Sequence, residues 1–221
     1  DIDGSLNIFP SGELAMGTYD ADAATGNNIN IDGTLSITTG TFTTNGSTSD
    51  INGTLMINGA GIYDANGEFD ATGGNVTFSG AGSLELGSTV TSLGTFGGTQ
   101  STLLFNGSSA QTINATSVNA GNLIVNNPSG VTLNADVTVN ATLTLTSGDI
   151  TSTSTNKLSL KSSVSGGSSS SHISGPVDFI ADATNECTFP VGNGTDYTPI
   201  KLQRNGGSAT TYTAEYTTGT A

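Results

Sequence analysis

Ile31-Asp32-Gly33-Thr34-Leu35-Ser36-Ile37 returns 20 residues later as Ile51-Asn52-Gly53-Thr54-Leu55-Met56-Ile57. The same pattern stands earlier as Ile2-Asp3-Gly4-Ser5-Leu6-Asn7-Ile8, and in weaker form later as Gly82-Ser83-Leu84-Glu85-Leu86. Within each copy apolar and polar residues alternate with period two, the pattern of a short strand with one buried and one exposed face. The glycines at 4, 33, 53 and 82 lie 29, 20 and 29 residues apart, and Leu123 and Leu143, each opening another alternating run, are again 20 apart. Periods of this size mark architectures in which one unit cannot bury its own apolar face and neighbours must stack. Gly and Asn between the runs tolerate the left-handed backbone that tight corners demand.

The predicted fold is therefore all-β. Residues 1–161 read as a parallel β-helix (β-solenoid), 162–171 as a Ser/Gly-rich loop or linker, and 172–221 as a small antiparallel, sandwich-like cap. Leu6, Ile8, Leu35, Ile37, Leu55, Ile57, Leu84, Leu86, Leu143 and Leu145 should point inward. A coil rises by one inter-strand spacing, so six or seven coils would make a rod of roughly 30 Å.

Composition sharpens this picture. Gly, Ser, Thr and Asn make up more than half of the 221 residues and there is no Trp. Such bias accompanies disorder when no core can form, but the strict alternation of Val137-Thr138-Val139 or Leu158-Ser159-Leu160 supplies one. The first 156 residues hold thirteen carboxylates and neither Lys nor Arg; Lys157, Lys161, Lys201 and Arg204 are the only basic side chains. A surface of this sign repels nucleic acid, whose binding depends on cations displacing counterions, and repels anionic lipid as well. No apolar run approaches the length that spans a bilayer, so membrane insertion is not expected.

The tail has another character. Ser174-Gly175-Pro176-Val177, then Thr188-Phe189-Pro190-Val191-Gly192-Asn193-Gly194 and Tyr197-Thr198-Pro199-Ile200, form a "GPV…FPVG…Y.P" series. This series, together with the Gly/Asn/Thr-rich strands before it, resembles a segment of large secreted surface proteins of Bacteroidota over roughly residues 120–204. The resemblance implies export, often by the type IX system through a separate C-terminal sorting domain, and an adhesive or structural role at the cell surface. It brings no catalytic residues. The first residues carry neither an initiator Met nor a signal peptide, so the chain reads as beginning at a mature or excised end.

Candidates for chemistry are few. His172, the single histidine, has Asp178 six residues on and a Ser run before it, but nothing resembles a nucleophile elbow. Asp20 with Asp22 and Glu68 with Asp70 form carboxylate pairs of the kind glycoside hydrolysis uses, without the aromatic platforms of a sugar cleft. We read the chain as no enzyme. The acids suit calcium better, because hard cations take oxygen ligands; Asp20, Asp22, Asp64, Asn66 and Glu68 are the candidate ligands, in no EF-hand pattern. No cofactor is expected other than calcium at these positions. The Asn-X-Ser/Thr sequons follow from composition, and Cys187 should be a small buried residue.

The expected function is an extracellular structural or adhesive module. The first coil should expose Ile2, Leu6 and Ile8 and leave strand edges open, which favours head-to-tail association into a fibre. The alternative is a passive stalk within a large adhesin. Partners would be further copies of the chain or another cell-surface protein. Ice is a further candidate ligand, since flat Thr arrays order water. Thr41-Phe42-Thr43, Thr142-Leu143-Thr144 and Thr151-Ser152-Thr153 supply T-x-T units, yet these do not recur at one constant period, as a crystalline match needs.

Overall fold

A computed structural model describes residues 2, 4–181 and 186–218, and none of these is helical. The chain winds as a three-faced parallel β-solenoid of about nine turns. The first face opens with Leu6–Ile8, Asn28–Ile31, Thr48–Ile51, Phe69–Asp70 and Val90–Ser92, and is continued by Gln111–Ile113, Val131–Leu133, Ile150–Thr151 and Ile173–Ser174. The second face opens with Glu13–Met16, Thr34–Ile37, Thr54–Ile57 and Asn75–Phe78, the third with Ala21–Asp22, Thr41–Thr43, Ile62–Ala65 and Ser83–Leu86. From the fifth turn both faces are carried by single long strands, Thr95–Phe105, Val118–Asn126 and Val137–Ser147, which bend between faces where the register shifts. At about 4.8 Å per turn the rod is roughly 40 Å long.

The core consists of stacked columns. On the second face Leu14, Leu35, Leu55, Val76, Phe96, Val118, Val137, Leu158 and Val177 lie each over the next. On the third, Phe42, Tyr63, Leu84, Leu103, Leu123 and Leu143 do the same, and the Phe42 and Tyr63 rings stack at 5.4 Å. Burying each such side chain stabilises the fold by about 1.5–3 kcal/mol. Nine of the ten positions expected inside are buried; Leu6, in the first turn, is only partly so.

The phase of the repeat differs from the sequence expectation. Leu6 pairs with Ile29, not with Leu35; Ile8 sits under Ile31 and Leu14 under Leu35. The first copy enters the first face, with Ile2 bridged to Ala23 and Leu6–Ile8 paired to that face, whereas Ile31–Ile37 leaves the first face for the second, so the first apparent copy sits one face earlier. Ser83–Leu86 also belongs to another face: it pairs with Ile62–Ala65, while Asn75–Phe78 follows Thr54–Ile57.

The parallel ladders also run on past residue 161. Ser163–Gly166, inside the Ser/Gly run, is a strand paired with Val137–Ser147, and Ile173–Ser174 and Val177–Ala181 complete a further turn. This continuation, with turns of about twenty residues, gives about nine turns instead of six or seven. Antiparallel strands then cover the end. Thr210–Ala214 pairs with Val177–Ala181, Glu186–Phe189 with Ile200–Gln203, and Gly192–Asn193 with Asp196–Tyr197. Arg204 ties this cap to the rod: its guanidinium donates to the carbonyls of Ala181 and Ser208, both at 2.7 Å, and lies over the Tyr212 ring. Cys187, on the cap strand Glu186–Phe189, is buried in the core.

The corner between first and second faces sets the closest approach. A Cβ on Gly33 would meet the Gly12 carbonyl oxygen at 2.2 Å, and one on Gly53 the Gly33 carbonyl oxygen at 2.1 Å. Those carbonyls accept from Thr34 N and Thr54 N respectively. We expect Gly53→Ala to destabilise by about 1–3 kcal/mol through this backbone clash. Leu55→Asp, which buries an unpaired charge, should lose 4 kcal/mol or more, an approximate figure. Thr54→Asp, one position away and facing outward, should change little. Chemical denaturation of the three variants measures all of this, and a fully stable Leu55→Asp protein would refute the inward stack.

Candidate functional site

Alternation that fills the core also lays out the surface, because each outward side chain stands one spacing from its neighbours above and below. On the third face one outward column runs Asp22, Thr43, Asp64, Glu85, Leu104, Ile124, Thr144 and Ser165. The second runs Thr41, Ile62, Ser83, Thr102, Asn122, Thr142 and Ser163. On the first face Asn7, Asn30, Asp50 and Asp70 form a comparable column, with Asn30 Nδ2 donating to Asn7 Oδ1 at 2.6 Å.

The calcium candidates are distributed along this lattice and tied up locally. Asp20 lies at the corner before the third face, its Oδ1 accepting from Thr41 N at 2.8 Å. Asp22 and Asp64 share a column with Thr43 between them. Asn66 Nδ2 donates to Asp64 Oδ2 at 3.0 Å, and Glu68 accepts from Thr91 Oγ1 at 2.6 Å. Among the described residues no three acids, histidines or cysteines gather in a metal-holding group. Asp1 and Asp3 lie outside the described residues.

One carboxylate contact escaped the sequence reading. Glu85 stands directly over Asp64 in the register. Burial first, and the Asp64 carboxylate second, push the Glu85 carboxyl above the usual carboxylate range, against a hydrogen bond from Ser83 Oγ. The sequence repeat equates Ser83–Leu86 with Thr54–Ile57, which hides its pairing with Ile62–Ala65 and so the placement of Glu85 over Asp64.

The Ser-His-Asp arrangement does not assemble. His172 is fully buried, and its Nδ1 lies 3.1 Å from Asp149 Oδ1 and 3.2 Å from the Ser168 carbonyl oxygen, both acceptors. Nε2 has no hydrogen-bond partner. Asp178 is on the second face, where it meets Lys157 and Thr213, and Ser171 Oγ donates to the Gly148 carbonyl. A shallow groove of about 380 Å³ lies beside Asp149, lined among others by Pro128, Gly130, Thr151, Ser170 and Gly194.

Other polar groups are consumed by the interior. Gln111 Nε2 donates to the carbonyls of Leu86 and Ser88, and its Oε1 accepts from Asn127 Nδ2 at 2.8 Å. Tyr63 Oη donates to Ser49 Oγ at 2.8 Å, and burial pushes its hydroxyl well above the normal tyrosine range. These contacts satisfy corners and seams of the core, as buried polar groups require.

The self-association candidates sit differently from expectation. Ile8 is buried, while Ile2 and Leu6 are partly buried against the core. Ile2 also donates its N–H to the Asp22 carbonyl. The apolar side chains that the first turn does expose are Phe9 and Tyr19, at 72% and 79%.

No protein-family model, no curated protein and no solved structure matches the chain.

The Glu85 contact carries a pH dependence. A carboxyl with a raised folded-state pKa binds its proton more tightly when folded, so stability falls as pH rises through the interval above the unfolded value. Glu85→Gln should therefore raise the melting temperature at neutral pH and flatten its decline between acid and neutral conditions. Thermal melts at several pH values check this; equal curves for both proteins would show the contact to be energetically silent.

Proposed function

We propose that the chain is a non-enzymatic structural or adhesive module of an extracellular surface protein, serving as a stiff rod. The observation that carries this reading is the continuous parallel ladder through about nine turns, whose register shifts only locally. Such a ladder makes a rigid spacer whose stability accumulates turn by turn, and its outward positions carry mainly Thr, Ser, Asn and Asp. The likeness of the "GPV…FPVG…Y.P" segment to Bacteroidota surface proteins supports an exported, cell-surface setting.

Two assemblies suit a rod. The stalk reading is favoured by the C-terminal cap, because Thr210–Ala214 occupies the edge of Val177–Ala181 that a stacked neighbour would need. The fibre reading is favoured by the first turn, whose strands Leu6–Ile8, Glu13–Met16 and Ala21–Asp22 are each paired on one side only among the described residues. Exposed Phe9 and Tyr19 lie in that same turn. Copies of net charge −14 repel one another, so any association should strengthen as salt screens the charge, or as calcium bridges it.

Light scattering of the chain over a salt and calcium series separates the two. The stalk reading predicts a monomer throughout. Concentration-dependent growth that increases with salt, and that Phe9→Ser with Tyr19→Ser reduces, would replace it with the fibre.

A further inference from the structure

The strand pairings of the rod are parallel as far as Val177–Ala181, and that ladder is then closed by one antiparallel strand, Thr210–Ala214. This strand is held differently from the rungs below it. None of its side chains is fully buried: Tyr212 and Ala214 are partly covered, and Thr210, Thr211 and Thr213 are exposed. It is attached by its register with Val177–Ala181, by a hydrogen bond from Thr213 Oγ1 to Asp178, and by the Arg204 guanidinium over the Tyr212 ring. The edge it covers is the reverse, with Val177, Phe179 and Ala181 buried in the core. Left open, such an edge pairs with another strand that fits.

The strand also hangs from a hinge. Arg204 to Ala209 link it to Ile200–Gln203, and within that link Gly206 and Gly207 both adopt positive φ, 104° and 100°. Arg204 folds the link back on the rod: Nη1 donates to the Ala181 carbonyl, and Nη2 donates to the carbonyls of Gly206 and Ser208. Drawn out, these residues reach about 20 Å, enough to carry the strand to a neighbouring chain end.

We propose that Thr210–Ala214 is an exchangeable strap through which two copies of this chain join tail to tail, with Arg204 as its latch. The strand that takes the opened edge is the same strand of the second copy, because it reproduces the contacts that the edge makes within one chain. A swap of identical elements needs no new complementarity. Charge selects this end of the rod for the encounter. Residues 1–156 hold thirteen carboxylates and no Lys or Arg, whereas from residue 157 on four cations accompany five carboxylates. Copies therefore repel one another least where their caps meet. The exchange is reciprocal and closes at two copies, unlike head-to-tail stacking. It extends the rod reading: with the latch closed the chain is a monomer, and with the latch open two stalks are coupled.

The test mixes two samples of the full chain, both with Cys187→Ala, one carrying Ile180→Cys and the other Thr211→Cys. These positions are registered partners, and paired strands lie within the span of a disulfide. In the mixture only exchange brings them together, and oxidation traps even a rare pair. A linked 180–211 peptide should appear by mass spectrometry. Arg204→Gln in both samples should raise its yield several-fold, and so should Tyr212→Ser, which removes the ring under the guanidinium; far-ultraviolet circular dichroism checks that the rod persists. Thr112→Cys mixed with Thr132→Cys, registered neighbours inside the rod, should give only the collisional background. No 180–211 link above that background, or a yield that both loosening variants leave unchanged, overturns the proposal. This readout is separate from the growth with salt that distinguishes stalk from fibre, so either reading can fail without the other.

Discussion

Parallel strand pairing, repeated at one spacing from turn to turn, is the constraint from which everything else in this molecule follows. Strands on a face are hydrogen-bonded to the turns above and below, so a turn cannot slide by one residue without reversing which side chains face the core. Inward positions consequently become vertical columns of Leu, Ile, Val and Phe, and outward positions become equally regular columns of Thr, Ser, Asn and Asp. Where the backbone must turn closely over the turn beneath, at Gly33 and Gly53, no Cβ can be accommodated.

Strand existence and facing were legible in sequence because alternation is a local property. Leu35, Ile37, Leu55 and Ile57 announce themselves by their neighbours alone. Phase was not legible, because it depends on how many residues each corner spends. The first copy leads into the first face and the second leads out of it, so two nearly identical stretches serve different corners. An alternating segment also looks the same on any face, which is why Ser83–Leu86 resembles Thr54–Ile57 in sequence yet pairs with Ile62–Ala65. The Ser/Gly run misled for a related reason: Ser163 and Ser165 are outward positions of a strand whose core contact is Val164, and composition alone cannot tell such a strand from a linker. Buried Gln111, Asn127 and His172 carry no local mark that separates them from exposed polar residues.

The surface explains the odd charge distribution. Carboxylates populate the outward columns of the first four turns, the middle turns are uncharged, and the four cations lie in the last turns and cap. Arg204 and Lys157 there serve contacts to the cap and to Asp178, so basic side chains occur where an irregular, antiparallel end must be pinned. The regular turns have no such need. Calcium candidates drawn from sequence proximity were scattered by the same winding that brought Asp64 and Glu85 together.

Register is thus the central claim, and paired cysteines test it most directly. In a background with Cys187→Ala, Thr54→Cys with Asn75→Cys places two thiols on adjacent registered positions of one face. Neighbouring strands are about 4.8 Å apart, inside the range a disulfide spans. Thr54→Cys with Ser83→Cys joins positions that the sequence repeat equates but the fold puts on different faces. Mild oxidation should cross-link the first pair within the monomer and leave the second reduced. Cross-linking of the Thr54–Ser83 pair in place of Thr54–Asn75 would contradict the winding on which the whole account depends.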